Sequence, residues 1–333
     1  MELEVRMKNV GIYMIKKIAK LASLLVAVCI LTFCLMEKSP IDPVTAYVGA
    51  DLSVSKAQRE DIAEQWGLNK PPQERFMSWF SSIAKGDLGT SIIYRRPVVD
   101  VIKEKFMASL LLMLVAWVIS GVLGFAMGII SGINEGKIVD RIIRGYCYVL
   151  VSTPTFWLGI LFIMVFAVQL KIFPVGLGVP IGVVASEVTL KTSLKHIVLP
   201  ALTLSVLGVA NICLHTREKV IDILNSEYIL FAKARGESKS SIVFNHILKN
   251  VALPAITLQF LSFSELFAGT VFAEQVFSYP GLGKATVDAG IKGDLPLLMG
   301  IVIISLLFVF TGNLLADVLY RVIDPRMKEE KVK

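Results

Sequence analysis

The sequence predicts an all-α protein that crosses a membrane about six times. Three observations lead there. Apolar residues make up 55% of the chain, more than the roughly 45–50% usual for soluble domains. The excess is gathered into long uncharged runs of the ~20 residues that span about 30 Å of hydrocarbon. Lys and Arg collect beside those runs, as they do in the loops of membrane proteins that face the cytoplasm.

The first run, from about Ile18 to Met36, follows Arg6, Lys8, Lys16, Lys17 and Lys20. It resembles a secretory signal, but Met36-Glu37-Lys38-Ser39-Pro40 closes it in place of a small-residue cleavage site. An uncleaved helix with a cytoplasmic N-terminus is therefore expected over residues 1–36. Residues 37–105 are polar and broken by Pro40, Pro43, Pro71, Pro72 and Pro97. They read as a small external subdomain, with a helix over Ser55–Trp66 capped by Ser55 and a turn at Gly86-Asp87-Leu88-Gly89.

Residues 106–325 read as the core membrane domain, followed by a tail over 326–333. Spans are expected near Met107–Ile130, Tyr146–Leu170, Ile197–Leu214, Ala255–Phe277 and Leu298–Leu319, with Pro154 close to the start of the third span overall. Gly121, Gly124 and Gly128 recur at near-helical spacing, which suits close helix packing. Lys137, Arg141 and Arg144 fall on the same side as the N-terminus, as do Arg217, Lys219, Lys233, Arg235, Lys239 and Lys249. Both termini are then cytoplasmic, and the chain is a multi-pass membrane protein.

Several function classes are excluded. The net charge of +7 does not indicate nucleic-acid binding, because the basic residues form no stripe with interleaved aromatics. Cys29, Cys34, Cys147 and Cys213 lie in apolar runs without a C-x-x-C pair, and His196, His215 and His246 lack metal-ligand spacing. Gly281-Leu282-Gly283-Lys284-Ala285-Thr286 imitates a phosphate loop. Ser278 stands where its first Gly belongs, and Ala285 replaces the magnesium-binding Ser or Thr. No catalytic pair is visible within a span.

The loop of residues 218–254 carries the most information. It contains Tyr228, then Ala232-Lys233-Ala234-Arg235-Gly236-Glu237-Ser238, an apolar stripe of Ile242, Val243, Ile247 and Leu248, and Leu253-Pro254. Physically this is helix, glycine turn, helix, with Gly236 free to take positive φ. Small Ala232 and Ala234 leave room for a close-packed partner, and Pro254 is expected to end the second helix or start the next span.

This loop resembles the EAA-type loop of ABC importer permeases, and more narrowly that of the dipeptide, oligopeptide and nickel permease family. Leu230 holds the usual Glu position, and the gap from Gly236 to Leu253-Pro254 is long; peptide-type members share both departures. In order along the chain, further resemblance is carried by Ser39-Pro40-Ile41-Asp42-Pro43-Val44, Gly86-Asp87-Leu88-Gly89-Thr90-Ser91 and Ser152-Thr153-Pro154-Thr155-Phe156-Trp157-Leu158-Gly159. His196 to Ala201, Glu274 to Gly283 and Asp324-Pro325-Arg326 complete it.

The resemblance implies a type I (MetI-like) permease fold. It also implies a second homologous permease subunit, in a heterodimer, two cytoplasmic ATPase subunits docked on the loop, and an extracytoplasmic solute-binding protein. The chain would then be no enzyme and carry no cofactor, with lipid around it and no nucleic-acid partner. Tyr228, Ala232, Lys233, Ala234, Arg235, Gly236, Glu237 and Ser238 are the expected ATPase-coupling residues. Glu265, near the middle of its span, is costly to bury at roughly 2.5–3.5 kcal/mol. With Ser264 and Glu274 it is the candidate lining of a translocation path. Peptides and nickel or other metal chelates remain open as substrates. The competing reading, an ion-coupled secondary transporter, would favour internal repeats, which the sequence lacks, and several buried charges on broken helices, of which it shows few.

Overall fold

The computed structural model describes residues 2–48, 54–178 and 189–323. The Asp324-Pro325-Arg326 motif and the tail lie outside them. Among the described residues the chain is helical, with one isolated β-bridge between Thr90 and Pro97. The helices are α1 (Glu2–Glu37), α2 (Pro43–Val48), α3 (Lys56–Gln65), α4 (Pro72–Ala84), α5 (Val98–Ile133), α6 (Ile138–Ser152) and α7 (Thr155–Phe162). There follow α8 (Leu190–Leu224), α9 (Glu227–Ala234), α10 (Lys239–Ile242), α11 (Leu248–Leu261), α12 (Phe263–Val276), α13 (Leu282–Ile291) and α14 (Leu295–Ile323). Wider π-helical turns extend α7 through Ile163–Gln169 and join α10 to α11 through Val243–Ile247.

Five of these stretches are long and apolar enough to cross a membrane: Ile15–Glu37, Val98–Ile133, Thr192–Leu224, Lys239–Leu261 and Leu295–Leu315. A sixth span is available only if α6 and α7 count together, and they meet at 107°. The expected span over 146–170 is thus a broken one, with Pro154 at the break. Pro154 has no N–H to donate, and its ring drives the preceding residue out of helical space. Thr153 accordingly takes φ −100°, ψ 127°. The expected span over 255–277 is also two helices, parted at Ser262. Pro254, expected at a boundary, lies inside α11.

The described residues divide into two compact units. The first runs to Phe106 and includes Ala285–Phe310. Here the polar segment over residues 37–105 packs on the long helices: Phe76 and Trp79 of α4 meet Cys29, Phe33 and Met299, drawn from α1 and α14. Asp294, fully buried just before α14, accepts hydrogen bonds from Leu297 N (3.1 Å), Ser91 Oγ (2.6 Å) and Ile93 N (3.0 Å). It caps α14 and pins the loop after Gly89 in one step. Ser55 caps α3 as expected, with Gln58 returning the bond. Gly86 and Gly89 both take positive φ in the predicted turn.

The second unit comprises Met107–Lys284 and the residues from Thr311 onward. Its centre is α8, which packs on α6, α7, α11 and α12. Of the glycine stripe of α5, Gly121 faces Gln259 of α11, while Gly124 and Gly128 lie against α8. A Cβ added at Gly124 would stand 2.9 Å from Val209 O, and one at Gly128 would stand 2.7 Å from Cys213 O. Only Gly lets the two backbones approach this closely.

Candidate functional site

The loop after α8 folds as a helical hairpin. α9 ends at Arg235, Gly236 reverses the chain at φ +81°, and Ser238 caps α10 by accepting from Ser241 N. Glu237 fastens the turn, accepting from Arg235 Nη2 (2.7 Å) and Ser241 Oγ (3.2 Å) and pairing with His246 Nε2 (3.1 Å). The His246 contact is the main reason its carboxyl sits below the usual glutamate range, with Arg235 and Ser241 acting in the same direction.

Beneath the hairpin is a core of Val220, Ile229, Ala232, Ile242, Ile247 and Val251, with Phe125, Ile129 and Ile133 of α5 packed around it. Ala232 therefore faces its own chain. At 4% exposure its side chain is not on the outer surface where the sequence reading placed it. Its small size serves the fit of α9 onto α8. The outward residues include Tyr228, Leu230, Phe231, Lys233, Ala234, Arg235, Gly236, Ser238 and Phe244. Leu230 is 68% exposed, Phe231 71% and Phe244 66%, so the hairpin presents a bare apolar tip flanked by basic side chains.

The candidate path residues separate. Glu265 is exposed on α12 and borders a small cavity of about 50 Å³ with Thr155 of α7, Leu204, Leu207 and Gly208 of α8, and Ser262, Leu266 and Gly269. Ser264 is turned away from that cavity, its hydroxyl donating to Asn313 Oδ1 of α14 (2.7 Å). Ser262, at the helix break, takes the place expected for it.

Glu274 has no exposed surface. Its carboxyl accepts from Ser109 Oγ (2.5 Å) and Lys284 N (2.9 Å), while the same Ser109 Oγ accepts from Leu282 N (2.7 Å). A Cβ on Gly281 would stand 2.2 Å from its Cδ. The glycine-rich turn that imitates a phosphate loop thus wraps the protein's own carboxyl at the start of α13. Glu274 holds this turn with its carboxyl fully enclosed.

Sequence reading missed Asp140. It is fully buried and takes a two-point bond from Arg217, Nε to Oδ1 at 2.6 Å and Nη2 to Oδ2 at 2.9 Å. Ser131 Oγ (2.6 Å) and Gly136 N (2.9 Å) donate to the same carboxylate. An Asp beside Arg141 and Arg144 reads as an ordinary basic loop, and nothing local announces a partner 77 positions away. Gln259 was missed as well. Its Nε2 donates to Trp117 O (2.5 Å) and its main-chain O accepts from Trp117 Nε1 (2.8 Å), tying α11 to α5.

A bundle of long apolar helices, two of its spans broken, with an apolar-tipped hairpin between α8 and α11, defines the membrane-embedded subunit of a transporter. Residues 124–329 match the family described as "Binding-protein-dependent transport system inner membrane component", and the chain belongs to that family. It is the permease subunit of a binding-protein-dependent ABC importer and not a secondary transporter. The chain is 34% identical to the oligopeptide transport system permease protein AppB of Bacillus subtilis (strain 168), over 95% of this chain and 99% of that one. It is 33% identical to the glutathione transport system permease protein GsiC of Escherichia coli (strain K12), over 95% and 98%. The fold resembles a chain of the MetNI methionine ABC transporter in an inward-facing form, with a TM-score of 0.52, 14% identity and coverage of 68% of this chain and 97% of that chain.

Proposed function

We propose that this chain carries small peptides across the cytoplasmic membrane of a prokaryote as one of two paired permease subunits. ATP is bound and hydrolysed by two separate cytoplasmic subunits, and an external binding protein delivers the solute. N-terminus, C-terminus and hairpin are cytoplasmic, in keeping with their Lys and Arg. The chain itself carries no cofactor.

The observation that carries the reading is the hairpin tip. Leu230 and Phe231, outside every membrane-crossing stretch, leave large apolar side chains bare while the hairpin's own core is already closed. Exposed apolar groups rimmed by polar ones mark a protein interface, and an aromatic anchor entering a pocket typically dominates such contacts. The coupling set is then Tyr228, Lys233, Ala234 and Arg235 around Phe231. Gly236, Glu237 and Ser238 hold the turn, and Ala232 supports it from inside. Phe231→Asp is expected to lower the amount of ATPase subunit co-purifying with the permease at least tenfold, with permease abundance unchanged. Parent-level co-purification would rule the hairpin out as the dock.

Peptide as substrate is supported by the solutes of the two relatives, oligopeptide for one and the tripeptide glutathione for the other. An exposed carboxylate at Glu265 suits a cationic amino terminus. Glu265→Gln should raise the half-saturating concentration of a transported tripeptide five- to tenfold. Unchanged affinity and rate would take Glu265 off the path.

A further inference from the structure

We propose that Asp140 is a positioning residue that transmits movement of the hairpin to the α7 wall of the cavity at Glu265. The proposal rests on the reading that the hairpin docks an ATPase subunit.

The donors that Asp140 collects come from the elements that support the hairpin. Arg217 lies three positions before Val220 of α8, which is in the hairpin core. Ser131 lies between Ile129 and Ile133 of α5, which pack on that core. Gly136 belongs to the turn between α5 and α6, and Arg144 Nε of α6 itself approaches Oδ1 at 3.5 Å. One buried carboxylate thus joins the end of α5, the turn, α6 and α8. α6 and α7 also share a buried apolar core with α8, built of Cys147, Leu150, Leu158, Val206, Ala210 and Cys213, which holds the helices together but supplies no directional bond. A two-point guanidinium–carboxylate bond resists both sliding and rotation, because each oxygen has a fixed partner.

A buried ion pair is a poor way to gain stability alone, since desolvation cancels much of its attraction. Here it confers geometry. At its other end α6 turns through 107° into α7. α7 packs on α8 and α12, and its Thr155 borders the cavity with Glu265. A push on the hairpin that displaces the Arg217 end of α8 must carry α6 with it. The bend at Thr153-Pro154 converts that shift into movement of the cavity wall. With the latch cut, α8 can move while α6 stays behind.

The test uses the whole importer in proteoliposomes, with Cys34 replaced by Ser and Thr155→Cys as the reporter. Its labelling by a membrane-impermeant maleimide is timed without nucleotide and after trapping with ATP and vanadate. The parent is expected to show at least a fivefold change in labelling rate. Asp140→Asn and the double variant D140N/R217Q, which leaves no unpaired buried charge, should show less than a twofold change. ATP hydrolysis and ATPase co-purification should persist in both. A parent-sized change in the double variant overturns the proposal, as does a parent whose labelling ignores nucleotide. Loss of the ATPase subunits from the double variant also overturns it, since Asp140 would then build the dock instead of transmitting from it. Phe231→Asp keeps the two readings apart: it should strip the ATPases while leaving Asp140 intact.

Discussion

Gly128→Val is expected to remove most of the folded permease from the membrane. At this point α5 and α8 are in backbone contact. A Cβ on residue 128 would lie 2.5 Å from Thr216 Cβ and 2.7 Å from Cys213 O, and neither can swing aside as the tip of a long side chain could. Overpacking a well-filled core costs about 1–3 kcal/mol per site, and here two β-methyl groups would add to a contact already too short for one carbon. The glycines on either side repeat the demand: Gly124 against Val209 O and Ile212, Gly132 against Val220 and Arg217 O. A clash at Gly128 therefore spreads along the whole seam that leads to the hairpin core. Membrane-fraction abundance should fall at least tenfold, with the residue aggregated. Val122→Ala, on an exposed face of the same helix, should change it less than twofold. Normal abundance and uptake with valine at 128 would show that α5 does not pack on α8 through this stripe.

Glu274→Ala should be nearly as damaging, for an electrostatic reason. It removes the acceptor for Ser109 Oγ and Lys284 N and leaves both donors enclosed. Each stranded group costs about 1–3 kcal/mol, so the turn over 278–284 should loosen by roughly 2–6 kcal/mol. The expected measurement is a large drop in thermal stability in detergent, with faster proteolysis at that turn. Glu274→Gln keeps one oxygen for Lys284 N and should fall between the two. If alanine instead left stability intact and altered only solute affinity, Glu274 would belong to the path after all. Gly281 gives an independent check. A methyl there would overlap the Glu274 carboxyl at 2.2 Å, so Gly281→Ala should reproduce the loss.

These residues also show where sequence reading reaches its limit. The packing role of the Gly121–Gly124–Gly128 stripe was legible because close helix approach depends on a local repeat of small side chains. The Ser55 cap and the Gly236 reversal were legible because caps and turns are set by residues within a few positions of one another. Glu274 and Glu265 could not be separated in this way. Both are carboxylates in apolar surroundings on one span, nine positions apart. Only the return of the chain at Gly281, and the presence of Ser109 from another helix, decide that one is sealed and the other open. Ala232 and Ala234 look alike in the sequence, and the rotation of α9 on α8 turns one inward and one outward.

The sequence by itself determined that this is a multi-span helical permease with a hairpin ahead of Leu253-Pro254. Hydrophobic length, charge bias and ordered motifs are local properties, and they survive without knowledge of what touches what. Tertiary structure alone decided that the third span bends, that Asp140 holds Arg217, and that the phosphate-loop imitation grips Glu274. Each of these depends on atoms brought together from distant segments, and the strength of a buried ion pair or hydrogen bond is set by that geometry and by the exclusion of water.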